Sequence, residues 1–191
     1  MDSRRTNGKI STETFLQSEP REANRVDFLG GRIYPQPDNT DRHNLITMNL
    51  AMALRPRAQE RGCEVFALKF AVHFRIARQD ALYYPDVLLA CDPTDSHPYY
   101  RTAPCLLAEV FSPQTARIDR AEKLFAYTTI PSLQEYVVVA QNEPRVEIHR
   151  READGWVTYT VRDQGSVDIR CLGTGVDLAT IYADLPPLRE N

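Results

Sequence analysis

Lysine is scarce in this 191-residue chain: of 23 basic residues 20 are arginine, and only Lys9, Lys69 and Lys123 are lysine. A lysine at a chemically placed position therefore stands out. A large excess of either charge is also missing. The formal net charge is −3, so there is no global basic field of the kind that drives indiscriminate attraction to polyanions. Cys63, Cys91, Cys105 and Cys171 lie 28, 14 and 66 residues apart, which leaves no Cys-x-x-Cys pair and no zinc-ligand spacing. No apolar run approaches membrane-spanning length, and the first twenty residues lack the apolar core of a secretion signal. The expectations are a cytoplasmic protein with reduced thiols and no membrane partner. A Gly-rich phosphate loop is absent, which argues against a P-loop nucleotide hydrolase.

The composition that remains, 42% hydrophobic and 26% charged, suits one domain with a substantial core. Residues 1–20 are polar and read as a flexible N-terminal arm, 21–185 as the domain, and 186–191 as a C-terminal tail. Two short extended runs flank Gly30-Gly31, a hairpin signal. After Pro35, Pro37 and Asn39, a helix capped by Thr40 or Asp41 carries Leu45, Ile46, Leu50, Ala53 and Leu54 at helical spacing toward Pro56 and Gly62. Residues 65–76 alternate regularly and predict one long half-buried strand, with Lys69, His73 and Arg75 on its polar face.

Residues 82–90 and 105–111 are apolar on both parities and predict strands inside a sheet. Residues 113–127 read as a helix with Leu124 and Phe125 toward the core and Asp119, Lys123 and Tyr127 in register at i, i+4, i+8. Strands at 135–140, 145–150, 156–161 and 166–171 extend an antiparallel meander, and 177–182 a short helix. The pattern predicts a single α/β or α+β domain around a mixed central sheet flanked by helices, with an antiparallel N-terminal hairpin and the C-terminal meander.

Three features point to a site: Asp86 after a proline at a strand start, Glu109 in an otherwise apolar strand, and Lys123 on the next helix. Two carboxylates on neighbouring strands can share a divalent cation through oxygen ligands, and Mg²⁺ on such a pair keeps several waters. A lysine beside it can orient water and stabilise charge on a phosphate oxygen. Each residue also has a plainer reading. Asp86 can accept backbone hydrogen bonds at a strand start, Glu109 can form a buried ion pair with Lys123, and Asp119 can form a solvated helix pair with Lys123. His43 is also a plausible helix-start residue, and Tyr127 a core aromatic.

The order of these residues resembles the Uma-two-type restriction endonucleases, a branch of the PD-(D/E)XK nuclease superfamily. The resemblance is carried by Val26-Asp-Phe-Leu-Gly-Gly-Arg-Ile-Tyr34, His43, Tyr84-Pro-Asp86, Ala108-Glu-Val-Phe-Ser-Pro113, Asp119…Lys123…Tyr127 and Glu135-Tyr136, between about Arg25 and Leu185. It implies a restriction-endonuclease-like fold with Asp86 and Glu109 as ligands of Mg²⁺ or Mn²⁺ and Lys123 as the active-site lysine. The superfamily's usual lysine position, two after the acidic ligand, is Phe111 here, so the lysine comes from the helix. Where the family often carries a Glu near the first strand this chain has Asp27, and where it carries an acidic residue after the glycine turn this chain has Arg32.

The expectation is a metal-dependent endonuclease hydrolysing DNA phosphodiester bonds, acting as a homodimer. Asp86, Glu109 and Lys123 are the catalytic candidates, and Asp27, His43, Lys69, Asp119 and Tyr127 are accessory positions. The alternative is a binding scaffold that keeps the fold without turnover. Residues 55–78 hold six basic side chains against two acidic ones, while 80–95 hold four Asp and no basic residue. That asymmetry is compatible with a phosphate track beside an acidic site.

Overall fold

The computed structural model describes residues 10–18, 26–36, 39–111 and 118–188, with backbone alone at 118–120. The chain opens with a short helix α1 (Thr12–Leu16), capped by the Ser11 side chain, which accepts from the Thr14 N–H. Residues 12–16 belong to the segment read from sequence as a polar arm. Phe15 nevertheless is fully buried and stacks on Phe28 with centroids 4.8 Å apart, so this stretch is anchored to the domain.

Strands β1 (Val26–Leu29) and β2 (Arg32–Pro35) form the expected hairpin. Both turn residues, Gly30 and Gly31, have positive φ, and a Cβ at Gly30 would meet Gln79 Oε1 at 2.3 Å. Glycine there meets a backbone and a steric demand at once. Helix α2 (Asp41–Glu60) follows, with Thr40 Oγ1 accepting from the His43 N–H, and it runs through Pro56 to a final turn before Gly62.

The long strand expected over 65–76 is instead two strands in two sheets, β3 (Glu64–Ala67) and β4 (Ala71–Ile76). The break lies at Leu68, whose φ of 72° ends the extended run, and at Lys69, whose N–H donates to Ala67 O. The stretch 82–90 is divided in the same way into the end of β5 (Gln79–Tyr83) and β6 (Val87–Ala90), with Tyr84-Pro85-Asp86 between them. The chain thus leaves one sheet after β3 and returns to it at β6. Leu68 N–H donates to Asp86 O at 3.0 Å, so the two crossings are hydrogen-bonded to each other. The turn between β4 and β5 uses Ala77 and Arg78, both at positive φ, where side-chain-bearing residues cost about 1–2 kcal/mol each.

The rest of the chain adds β7 (Tyr100–Arg101), β8 (Pro104–Phe111), helix α3 (Ile118–Thr128), β9 (Glu135–Ala140), β10 (Arg145–Glu152), β11 (Gly155–Arg162), β12 (Ser166–Ile169), β13 (Thr174–Asp177) and α4 (Leu178–Ile181). A five-stranded sheet has the order β2-β1-β5-β4-β7 and a six-stranded sheet the order β11-β10-β9-β8-β6-β3. Strands β8 and β9 are parallel, joined across α3, and β4 is parallel to β7; the other pairings are antiparallel. Strand β12 does not extend the meander. It pairs with β13 in a separate ribbon, because the turn after Ile169 folds the chain back on itself.

The six-stranded sheet is covered on both faces, which is why β6 and β8 read as apolar on both parities. Leu106, Ala108 and Val110 face α2, with its Ile46, Leu50 and Leu54. Leu107 and Phe111 face the other way, toward Tyr127 of α3 and toward Val72, Phe74 and Ala81 of the five-stranded sheet. By alternation Glu109 belongs to this second face, and so does Asp86, one position before Val87 and two before Leu88.

The cysteines depart from the reduced-thiol expectation. Cys63 and Cys91 form a disulfide, because the register Glu64↔Ala90 sets them opposite each other with Cα atoms 4.1 Å apart. Sequence spacing alone carries no sign of that register. No helix among the described residues is long and apolar enough to cross a membrane.

The last helix is fastened by Tyr182. Its hydroxyl lies 2.7 Å from Ala140 O and 2.9 Å from Arg145 O, and it accepts from the Arg145 N–H at 3.2 Å. Burial pushes this phenol up to about 12. The folded protein therefore keeps a proton that the unfolded chain releases near 10, so this contribution to stability is intact below pH 10 and is lost as the pH rises from about 10 to about 12. Tyr182→Phe should cost about 1–2 kcal/mol at neutral pH and reduce the alkaline loss, as measured by urea denaturation at a series of pH values.

Candidate active site

The second face of β8 carries a carboxylate where its neighbours carry hydrocarbon. Continuing the β6–β8 register one step beyond Val87↔Ala108 sets Asp86 opposite Glu109. Two like charges directly across a strand pair repel each other, so the position calls for compensation. Asp86 receives hydrogen bonds from two elements: the Val110 N–H donates to Oδ2 at 2.8 Å, and His43 Nε2 of α2 lies 2.9 Å from Oδ1. Both bonds orient the carboxylate.

Compensation at Glu109 comes from α3. Lys123 Nζ donates to Glu109 Oε1 at 2.6 Å, and the Tyr127 hydroxyl, one helical turn further on, donates to the same oxygen at 2.8 Å. Lys123 Nζ also lies 3.9 Å from Asp27 Oδ2 on β1. Asp27 in turn accepts from the Tyr84 N–H through Oδ1 at 3.0 Å and from Gln36 Nε2 through Oδ2 at 2.9 Å. It thereby grips the crossing that ends in Asp86.

Relative exposures are 4% for Asp27, 1% for Asp86, 3% for Glu109 and 7% for Lys123. Three carboxylates and one ammonium thus lie out of water together. Burial pushes Glu109 up to about 7; Lys123 pulls it back, while Asp86 and Asp27 raise it further. Burial would lower Lys123, but Glu109, Asp27 and Asp86 outweigh it and hold the ammonium above its ordinary value. Tyr127 is held well above 10, by burial first and by Glu109 next, and stays a neutral donor.

Asp27 and Lys123 reach a groove of about 520 Å³, flanked by Tyr34, Gln36, Tyr83 and Phe125. Phe125 is 68% exposed. The expected inward position of Phe125 is thus not found; Ala126 and Tyr127 face the core in its place. Gln36 and Tyr83 had no sequence signal, since a polar residue after a hairpin and an aromatic in a strand are each commonplace.

Of the eight sequence candidates, Asp27, Glu109, Lys123 and Tyr127 form one side-chain network and His43 and Asp86 a second, joined to the first through the backbone at Val110 and Tyr84. Lys69 is exposed in the link between β3 and β4. The Asp119 side chain lies outside the described residues.

A divalent metal can be tested against this donor set. Among the described residues no three His, Cys, Asp or Glu groups converge as a ready-made cation cage. The carboxylates nonetheless outnumber the ammonium, and their oxygens are hard donors. That suits Mg²⁺, which takes one or two carboxylates and fills its remaining positions with water or phosphate oxygen.

Comparison with known proteins defines the class. Residues 12–180 match the family Uma2, described as putative restriction endonuclease, and the chain belongs to that family. Its α+β fold matches the crystal structure of a putative nuclease belonging to DUF820 from Anabaena variabilis, with a TM-score of 0.69 over 91% of this chain and 98% of that one at 14% identity. Two uncharacterized proteins of Synechocystis sp. are similar in sequence. The protein slr1290 is 27% identical over 179 residues, 93% of each chain, and sll1609 is 32% identical over 148 residues, 76% of this chain and 82% of its own.

The ion pair has a measurable consequence. Lys123→Met leaves three buried carboxylates without their ammonium and should cost about 3–5 kcal/mol in chelator-treated buffer. Adding Glu109→Gln should recover part of that loss, so a double-mutant cycle by urea denaturation should be non-additive by more than about 1 kcal/mol. Additive losses would mean that the two groups do not support each other.

Proposed function

We propose that this protein is a metal-dependent endodeoxyribonuclease in which Asp86 and Glu109 hold Mg²⁺ or Mn²⁺ and Lys123 acts on the attacking water. The observation that carries the reading is the buried pair of facing carboxylates, with a lysine reaching from them to an open groove. Family membership supports the same reaction class. A bound divalent ion would neutralise the scissile phosphate and lower the pKa of water.

The chain's own residues do the positioning. His43 and the Val110 N–H fix the Asp86 carboxylate, and Tyr127 fixes Glu109. Lys123, held cationic by its three carboxylate neighbours, is a hydrogen-bond donor at the groove. From there it can orient water and stabilise negative charge developing on a phosphate oxygen. Asp27 holds Lys123 and the Asp86 crossing in mutual register. The substrate is DNA.

Calorimetric titration with Mn²⁺ should show a binding signal that Asp86→Ala and Glu109→Ala each abolish. Plasmid and linear DNA incubated with Mg²⁺ or Mn²⁺ should be cleaved by the wild type, and Lys123→Ala should lower the rate by about 10²-fold or more. An unchanged isotherm in the two carboxylate variants would sink the metal assignment. Metal binding without cleavage would instead identify a scaffold that kept the fold. Cutting both strands calls for a homodimer, so light scattering should give about twice the 21.8 kDa chain mass; a monomer mass would remove that element.

A further inference from the structure

The four cysteines, drawn from four separate segments of the chain, all lie in or against the same core cluster beneath α2. Cys63 and Cys91 form the disulfide, and Cys105 Sγ is 3.4 Å from Cys91 Sγ. Cys105 and Cys171 are free thiols at the same cluster, close enough that each shifts the ionisation of the other. The sulfurs thus form a continuous row in the order 63, 91, 105, 171.

A departure from regular sheet geometry creates this row. The β6–β8 register shifts between Leu89↔Leu106 and Ala90↔Pro104, which leaves Cys105 as the extra residue of a β-bulge. Plain alternation would send Cys105 to the face of Leu107, away from the other cysteines. The bulge re-aims it. The turn after β12 supplies the last member, held where the Cys171 N–H donates to Glu135 Oε2 at 3.0 Å. Glu135 is itself fixed by Arg150, whose Nε donates to Oε1 at 2.9 Å.

We infer that the row is a thiol–disulfide exchange site, along which one disulfide moves between Cys63–Cys91 and Cys105–Cys171 and which accepts small disulfides of the glutathione class at its partly exposed end. In the first step Cys105, as thiolate, attacks Cys91 Sγ; the Cys91–Cys105 bond forms, the Cys63–Cys91 bond breaks, and Cys63 takes the electron pair and a proton. In the second, Cys171 attacks Cys105 and Cys91 leaves as the thiol. Neither step changes the oxidation level of the protein. Exchange with solvent is balanced as well: the Cys105 and Cys171 thiols plus one small disulfide give the Cys105–Cys171 bond and two small thiols.

Two properties suit Cys105 to the attacking role. Its thiol is lowered by its interaction with Cys171, against the opposing effect of burial, while the Cys171 thiol is raised in turn; the thiolate is the nucleophile in exchange. Its sulfur also sits between the disulfide and the last thiol, so neither step needs a side chain to cross the core. The assignment is independent of the nuclease reading.

The test is disulfide mapping on the full chain. Wild-type protein purified without reductant is held at pH 8, quenched in acid, alkylated with N-ethylmaleimide, digested and analysed by mass spectrometry. The expected result is a Cys91–Cys105 linked peptide with Cys63 alkylated, alongside the Cys63–Cys91 peptide. In Cys63→Ser, treated with glutathione disulfide, most chains should carry Cys91–Cys105 or Cys105–Cys171. Circular dichroism establishes that the variant is folded, and the wild-type measurement stands without it. Cys63–Cys91 as the sole linkage in wild type, with Cys91, Cys105 and Cys171 all alkylated in folded Cys63→Ser, would overturn the proposal. So would native mass spectrometry showing one zinc per chain with four alkylatable thiols.

Discussion

One buried ammonium governs the geometry of this molecule. Lys123 reaches from α3 to Glu109 in the six-stranded sheet and toward Asp27 in the five-stranded sheet, so a single side chain touches the three elements that meet at the candidate site. Removing a lysine from water is expensive, and here the cost is offset only because carboxylates surround it. The dependence is mutual. Asp86 and Glu109, opposite each other and out of water, would be a liability without a cation nearby. The chain resolves this with one ammonium among three carboxyl groups, and with burial that pushes Glu109 up to about 7.

The two crossings between the sheets set where those carboxylates stand. Leu68 and Asp86 are hydrogen-bonded across them, and Asp27 holds the backbone at Tyr84. A β-branched or extended-favouring sequence would have run straight through both positions. Leu68 in the left-handed region and Pro85 before Asp86 interrupt the strands instead, and the interruption lets Asp86 lie at the end of β6 while β5 remains in the other sheet.

Much of this was legible from residue pattern. The doubly apolar strand with a lone Glu109 was plain, because burial on both faces removes the alternation that would hide a carboxylate. Both readings of Glu109 required a cationic neighbour, and Lys123 stood out in a chain that otherwise writes arginine. The break at Leu68 was not legible: a leucine at positive φ has the same composition as one in a strand, and the regular 65–76 alternation continued through it. Phe15 was hidden for a different reason. One aromatic in a polar stretch carries no periodicity, and its burial depends on stacking against Phe28 of β1. The disulfide was invisible because a separation of 28 residues says nothing about a register that β3 and β6 establish only when paired.

The Cys63–Cys91 bond also has a topological meaning. It closes a covalent ring around the whole excursion from one sheet to the other: β3, both crossings, β4, β5 and β6. Asp86 lies inside this ring, whereas Glu109 and Lys123 lie outside it and inside the larger ring that a Cys105–Cys171 bond would close. The two carboxylates that face each other across β6 and β8 thus belong to different potential loops of one chain. Where its single cross-link sits determines which half of the facing pair is covalently enclosed and which is held by non-covalent contacts alone.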